Sequence, residues 1–368
     1  MKIVDMHCDT LDRLLSLQEA GKPESLRQNG GHLDLQRMQR SGYLLQNFAM
    51  FVMLKSGQDP WERVCSLYEC YKYELERNRD ILAPVLSFGD IAKNQAAGKM
   101  SALLTVEEGA VCKGEIEKLR KLHEMGVRMM TLTWNFENEI GHPNFIPQYK
   151  VEMMDARKAW KESVEKGQEK SQEASGVESV HRVVQEAFNR YFHTPNTSAG
   201  LTERGREFVA EMEALGMIPD VSHLSDAGFE DVLSVTKKPF VASHSNAREV
   251  SPAVRNMTDS MIRKLAERGG CMGLNYCADF LEEKPFGIHN PGTISAIVRH
   301  AKHIVNVGGI EVLGLGSDFD GIDTHEELPG VQSMELLWNA LRQGGFSESD
   351  VEKIFSGNVL RVYKDTLG

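Results

Sequence analysis

The chain has 368 residues, 41% hydrophobic and 26% charged, enough apolar material for a large core and too much for a disordered chain. Its formal net charge of −11 argues against the basic face that nucleic acid or an anionic membrane surface requires. The six cysteines form no CxxC pair, no stretch is long and uncharged enough to span a bilayer, and the amino terminus carries no apolar signal core, so a cytoplasmic protein with reduced thiols is the expectation.

Residues 3–8 read as a first strand that runs into His7-Cys8-Asp9. Strand alternation puts His7 and Asp9 on one face and turns Cys8 to the other, as a small buried hydrophobe. Strands follow at 44–54 and 102–106, the latter ending in Glu107-Glu108, then an amphipathic stretch at 114–124 and a strand at 127–132. A long insertion, 138–199, interrupts the rhythm. Its middle is very polar, with Lys158, Lys161, Glu162, Lys166, Glu169 and Lys170, and its end carries helix-spaced apolar anchors from Val180 to Tyr191. A connection of this length suggests a lid-like segment or a solvated helical excursion. Beyond it, strands at 218–221, 240–243, 272–275 and 312–316 alternate with helical patterns at 203–215, 226–235, 258–268 and 293–307. Repeated strand–helix alternation predicts a parallel α/β sheet, and eight strands predict closure into a (β/α)8 TIM-type barrel; an open doubly wound sheet is the alternative. The whole of 1–368 reads as one domain.

The unusual polar residues cluster at strand ends. His7 and Asp9 end the first strand, Glu107 and Glu108 the third, His223 the fifth, His244 the sixth, and Asp318 and Asp320 the eighth. Barrel enzymes carry their chemistry at that face. Imidazoles and carboxylates from five strands suit zinc or a similar divalent metal, and one Glu shared between two ions would hold them close. Taken singly, Asp9 could instead be a helix N-cap, and Asp320 reads as a turn residue before Gly321. His300 and His303, three apart on an amphipathic stretch, read as surface residues. His32, His123, His181, His193, His289 and His325 lie in polar or loop surroundings without convergent partners.

These stretches, with Leu132-Thr133, Gly200-Leu201-Thr202, Arg255-Asn256 and Gly314-Leu315-Gly316-Ser317-Asp318-Phe319-Asp320-Gly321, run nearly end to end through the chain. Together they resemble the membrane (renal) dipeptidases, binuclear zinc peptidases, and among these the bacterial cytoplasmic-type members. The resemblance implies hydrolysis of free dipeptides, L-D dipeptides included, by a hydroxide bridging two zinc ions per chain. His7 and Asp9 would bind one ion, His223 and His244 the other, and Glu107 both. Asp318 would be the general acid/base, and Arg255 would hold the substrate carboxylate. Glu108 stands where the family usually has Gly and is left outside the ligand set. A homodimer is also implied.

One departure concerns Trp134, which follows Leu132-Thr133 where animal members carry a substrate-contacting His. Trp134 would wall the substrate site, and either Asn135 or His142 supplies the missing contact or catalysis leans on the zinc alone. The competing readings are another metal-dependent amide or lactam hydrolase on the same barrel, and a non-catalytic, metal-stabilised peptide-binding protein. Related amidohydrolases carry His-x-His after the first strand and a Lys on the fourth, neither of which is present here.

Overall fold

The strands of this protein are largely apolar because they are covered on both sides, as parallel sheets require. The computed structural model describes residues 1–54, 57–165, 174–323 and 325–368. It contains nine strands: β1 (Ile3–Asp5), β2 (Tyr43–Phe51), β3 (Leu82–Pro84), β4 (Met100–Glu107), β5 (Val127–Thr131), β6 (Ile218–Asp220), β7 (Val241–Ala242), β8 (Cys271–Leu274) and β9 (Leu313–Leu315). Eight of them follow the order β2-β1-β9-β8-β7-β6-β5-β4, all parallel, and β2 pairs back onto β4 to close a (β/α)8 barrel. The closing ladder is the longest, from Leu45 opposite Ser101 to Phe51 opposite Glu107. The remaining strand, β3, pairs only with the first residues of β4.

The expected eight strands are thus the barrel strands, and β3 is an addition to them. It lies between the helices Pro60–Arg77 and Phe88–Ala96. Its three residues, buried, half-buried and exposed in turn and ending in proline, leave no period to read.

The barrel interior is a packed layer. Val4, Leu45, Leu103, Met129, Ile218, Val241 and Cys271, drawn from seven strands, form one buried cluster. The carboxyl-terminal helix Asn358–Thr366 plugs it with Val359, Val362 and Tyr363, whose hydroxyl donates to Asn47 Oδ1 at 2.9 Å. On β9 a Cβ at Gly314 would stand 2.7 Å from Val359, so only glycine lets that plug seat. A second, larger cluster packs the outer helices onto the strands.

The insertion folds as two helices, Pro147–Glu165 and Ala174–His193, packed on each other. Phe145 stacks on Tyr191 at 4.5 Å, and Arg190 pairs with Glu152 at 2.8 Å. Phe192 reaches Phe280 at 5.9 Å, which connects the insertion to the mouth of the barrel. Lys166, Glu169 and Lys170 of the polar stretch lie outside the described residues, as does the side chain of His181. Among the described residues no helix is long and apolar enough to cross a membrane.

His300 corrects the expectation of a surface residue. It is fully buried on the helix Ile294–Gly308, where Nδ1 accepts from Ala247 N at 3.1 Å and Nε2 faces Leu281 O at 3.0 Å. His303 on the same helix is half-buried and meets Asp259 at 2.6 Å. His32 also has a partner: its Nδ1 accepts from Asp320 N at 2.9 Å.

Candidate metal centre

The carboxyl end of β1 runs into His7-Cys8-Asp9, and alternation sends the side chains as the sequence predicts. Cys8 is fully buried and its thiol donates to Asn47 O at 3.3 Å, while His7 and Asp9 turn into the barrel mouth, 3.4 Å apart. Asp9 stands at the N-cap position of the helix Thr10–Glu19 but makes no side-chain cap bond, so its carboxylate is free for another task. Glu107 ends β4 and sits between the other groups. Its Oε2 lies 3.3 Å from His7 Nε2, and its Oε1 lies 3.0 Å from His223 Nε2 and 3.4 Å from His244 Nε2. Asp318, just beyond β9, places Oδ1 3.8 Å from His7 Nε2. His223 and Asp318 both have left-handed backbones (φ 68° and 63°), which turn their side chains from the strand direction into the mouth.

The surroundings of the two later histidines dictate which ring nitrogen carries the proton. His223 Nδ1 faces Asn135 Oδ1, an acceptor, at 2.9 Å. His244 Nδ1 faces Ser243 Oγ at 2.7 Å, and that hydroxyl donates onward to Asp220 Oδ2 at 2.5 Å. Both Nδ1 atoms are therefore donors, and both Nε2 atoms of the neutral rings carry lone pairs. Those Nε2 atoms are 3.0 Å apart, with the Glu107 carboxylate against both. Burial, assisted by Arg255, pulls His223 down to about 4, and burial and the neighbouring His7 push His244 well below its ordinary range, so neither ring becomes cationic near neutrality. Three converging lone-pair atoms repel one another unless a cation lies among them.

The other half of the centre has the same incompleteness. His7 Nε2 and Asp9 Oδ1 are buried with no hydrogen-bond partner among the described residues. Burial disfavours a charged His7, but Glu107 and Asp9 outweigh it and hold the imidazole well above its ordinary range. Burial raises Glu107, yet the neighbouring His7 outweighs it and holds the carboxylate well below its ordinary range. Burial pushes Asp318 up to about 6, although His7 and an Asn275 Nδ2–H bond at 2.9 Å to its Oδ2 work the other way. Three donor groups follow, His7 with Asp9 and Glu107, Glu107 with His223 and His244, and His7 with His244 and Asp318, each with its donor atoms within 4.8 Å of one another. The space between them is kept open by Gly321, where a Cβ would stand 2.0 Å from Asp9 Oδ2 and 2.7 Å from Asp318 Oδ1. Nitrogen and carboxylate donors in this proportion suit zinc.

A cleft of about 490 Å³ opens onto this floor. Its walls are Phe51, Met53, Trp134, Cys277, Phe280 and Ile322. Trp134 packs edge-on against Phe51 at 5.2 Å and lies 5.9 Å from the His223 ring. Arg255 lies behind His223 and His244: it is buried, its Nη2 donates to His244 O at 3.3 Å, its Nε has no partner among the described residues, and its guanidinium lies over Phe280 at 5.4 Å. His142 is directed elsewhere, to Gly200 O at 2.9 Å. Asp320 has a structural setting, accepting from Thr10 Oγ1 at 2.6 Å and His32 N at 2.8 Å. Two groups escaped the sequence reading. Asn275, at the end of β8, orients Asp318, and Asp220, at the end of β6, supports His244 through Ser243. Asp220 stands in the quoted Asp-Val-Ser-His run, whereas Asn275 carries no sequence signal.

Comparison with known proteins agrees with this geometry. The chain is 37% identical over 173 residues to an uncharacterised Klebsiella pneumoniae protein from the pqqA 5′ region, covering 47% of this chain and 63% of that one. It is 36% identical over 167 residues to dipeptidase tcpJ of Claviceps purpurea, covering 45% and 38%. Both alignments span less than two thirds of the relative's own length. A solved metallopeptidase from Rhodobacter sphaeroides, liganded with a phosphinate mimic of L-Ala-D-Ala, shares the fold at a TM-score of 0.79 and 24% identity, covering 100% of this chain and 99% of that one. Residues 1–152 and 182–367 match the family described as membrane dipeptidase, and the chain therefore belongs to that family, peptidase family M19.

Proposed function

We propose that this protein is a zinc-dependent dipeptidase that hydrolyses the peptide bond of free dipeptides, L-D dipeptides included, with two ions per chain. The observation that carries the reading is the convergence of buried imidazole nitrogens on Glu107, with one carboxylate oxygen facing His7 and the other facing His223 and His244. His7 and Asp9 would hold one ion, His223 and His244 the other, with Glu107 between them. When bound, the pair of ions supplies Lewis acidity that activates a water and polarises the scissile carbonyl.

The chain's own residues do the rest. Asp318 Oδ2 is fixed by Asn275, which leaves Oδ1, on the His7 side, to take the water's proton and return it to the leaving amine. Arg255, with an unpartnered Nε, would receive the substrate's carboxylate in a two-pronged pairing and so restrict the enzyme to very short peptides. Trp134 walls the cleft and shields it from water, and Asn135, also lining the cleft, holds the His223 ring. The 138–199 insertion, part of one metallohydrolase unit spanning 1–368, would act as a lid whose Phe192 bears on the cleft residue Phe280. Six unpaired thiols support a cytoplasmic location, and family membership supports a homodimer.

The test is hydrolysis of a panel by the zinc-loaded protein: L-L and L-D dipeptides, a tripeptide, and a dipeptide amidated at its carboxyl end. The L-D members are chosen because the Rhodobacter sphaeroides relative carries an L-Ala-D-Ala mimic. Cleavage of the free dipeptides alone, abolished by a chelator, is expected. Equal cleavage of the amidated peptide would remove Arg255 from its proposed role. No cleavage at full zinc occupancy would turn the reading to another amide substrate or to a binding protein.

A further inference from the structure

Glu108 is a costly residue for the fold. It is fully buried, its backbone is left-handed (φ 101°), and among the described residues no cationic side chain pairs with it. A buried carboxylate without a cation is unfavourable, and a non-glycine residue with that backbone is strained. Burial pushes its carboxyl up to about 7 despite the hydrogen bonds it accepts. The geometry shows what the carboxylate does. Oε1 accepts from Ala110 N at 2.9 Å and Asn138 Nδ2 at 2.5 Å, and Oε2 accepts from Trp134 N at 3.1 Å. One side chain thus grips both ends of the short segment 134–138.

That segment contains the residue on which one proposed ligand depends. Asn135, between the two gripped points, presents Oδ1 to His223 Nδ1. Trp134 walls the cleft beside the same ring. Glu108 also follows Glu107 directly, so the carboxylate links the end of β4 to the segment that orients a histidine from beyond β6. We propose that Glu108 is a positioning residue of the metal centre: it fixes the 134–138 segment so that Asn135 holds His223 in the tautomer and orientation a metal ligand needs.

This inference rests on the proposed metal centre but not on catalysis. Groups that orient a ligand histidine typically contribute tenfold to a hundredfold in metal affinity. The test compares zinc retention against a competing chelator in the zinc-loaded wild-type protein, Glu108→Gln, Asn135→Ala and the double variant. In Glu108→Gln the amide NH2 must confront one of the N–H donors and that bond is lost. One of the two ions should become about tenfold easier to remove, or more, while the other is held as before. Asn135→Ala should do the same, and the double variant should be no worse than either. A merely structural Glu108 would lower the melting temperature of the zinc-free protein and loosen both ions alike. That result, unchanged retention in Glu108→Gln, or effects that multiply in the double variant would overturn the proposal. Should Glu108→Gln fail to fold, Glu108→Gly, which suits the backbone, is read by the same measures. A protein that holds two zinc ions yet cleaves no dipeptide would refute the activity and leave this comparison intact.

Discussion

At the scale of single residues, His300 makes burial measurable. Desolvation pulls its imidazole down to about 4 from an ordinary 6.5, although the contact of Nε2 with Leu281 O works the other way, because a charge there cannot be hydrated. In the unfolded chain the ring titrates normally. Between pH 6.5 and about 4 the unfolded state therefore binds more protons, so stability falls as pH falls through that window. The shift corresponds to about 3 kcal/mol when fully expressed. Urea unfolding at stepped pH should show a shallower acid slope for His300→Gln than for the wild type; parallel slopes would show that the ring contributes nothing to acid sensitivity. Asp318 offers a chemical counterpart. Asp318→Asn keeps the shape and the Asn275 contact but cannot accept a proton. Metal content should stay at the wild-type level while kcat for a dipeptide falls by a factor of roughly 10² or more, the scale of a lost general acid/base. An Asn variant with near-normal turnover would eliminate the role.

At the scale of elements, one carboxylate joins three strand ends. Asp220 closes β6 and accepts from Thr131 Oγ1 on β5 at 2.6 Å, from Ser222 N at 3.0 Å, and from Ser243 N and Oγ just past β7 at 2.8 and 2.5 Å. Removing it leaves four buried donors unpaired, each costing about 1–3 kcal/mol when nothing replaces the bond. Asp220→Ala should lower stability by about 3–5 kcal/mol, the range seen when a buried charge network is broken, and weaken metal retention at His244. Denaturant titration of the zinc-free protein checks the first effect and separates it from the second; a loss under 1 kcal/mol would mean that water replaces the carboxylate. This network also shows why some elements could be read in the sequence and others could not. A strand that stops in His-Cys-Asp or Asp-Val-Ser-His interrupts an apolar run with residues that have no reason to be buried unless they are used. The barrel strands and the positions of His7, Asp9, Glu107, His223, His244 and Asp318 were legible for that reason. What escaped depends on distant contacts. His300 looks polar on an amphipathic helix until Ala247 and Leu281 close over it. Asn275 is an amide at a strand end, with nothing local to distinguish it. The family match leaves out residues 153–181, inside the insertion, so that part of the chain lacks even this guide.

At the scale of the molecule, the donors come from around the ring. His7 and Asp9 follow β1, Glu107 ends β4, and His223, His244 and Asp318 follow β6, β7 and β9. Ions held by His7, Asp9, Glu107, His223 and His244 would bind the closed barrel together, because these ligands arrive from β1, β4, β6 and β7 and no ligand set exists in the unfolded chain. Without ions, the same closure forces two lone-pair imidazoles and a carboxylate into contact and buries Asp9, Glu107 and Asp318 beside one another. Stability should therefore depend on metal by mass action. Zinc at a thousand times its dissociation constant adds about 4 kcal/mol per independent site. A fall of several degrees in the melting temperature on chelation, fully reversed by added zinc, is the expected outcome of differential scanning calorimetry. His223→Ala removes a ligand without touching the inner barrel layer, so its melting temperature should respond less to zinc than that of the wild type. Equal melting with and without chelator would mean that the barrel bears the convergence of these groups unaided and that no ion is part of its folded state.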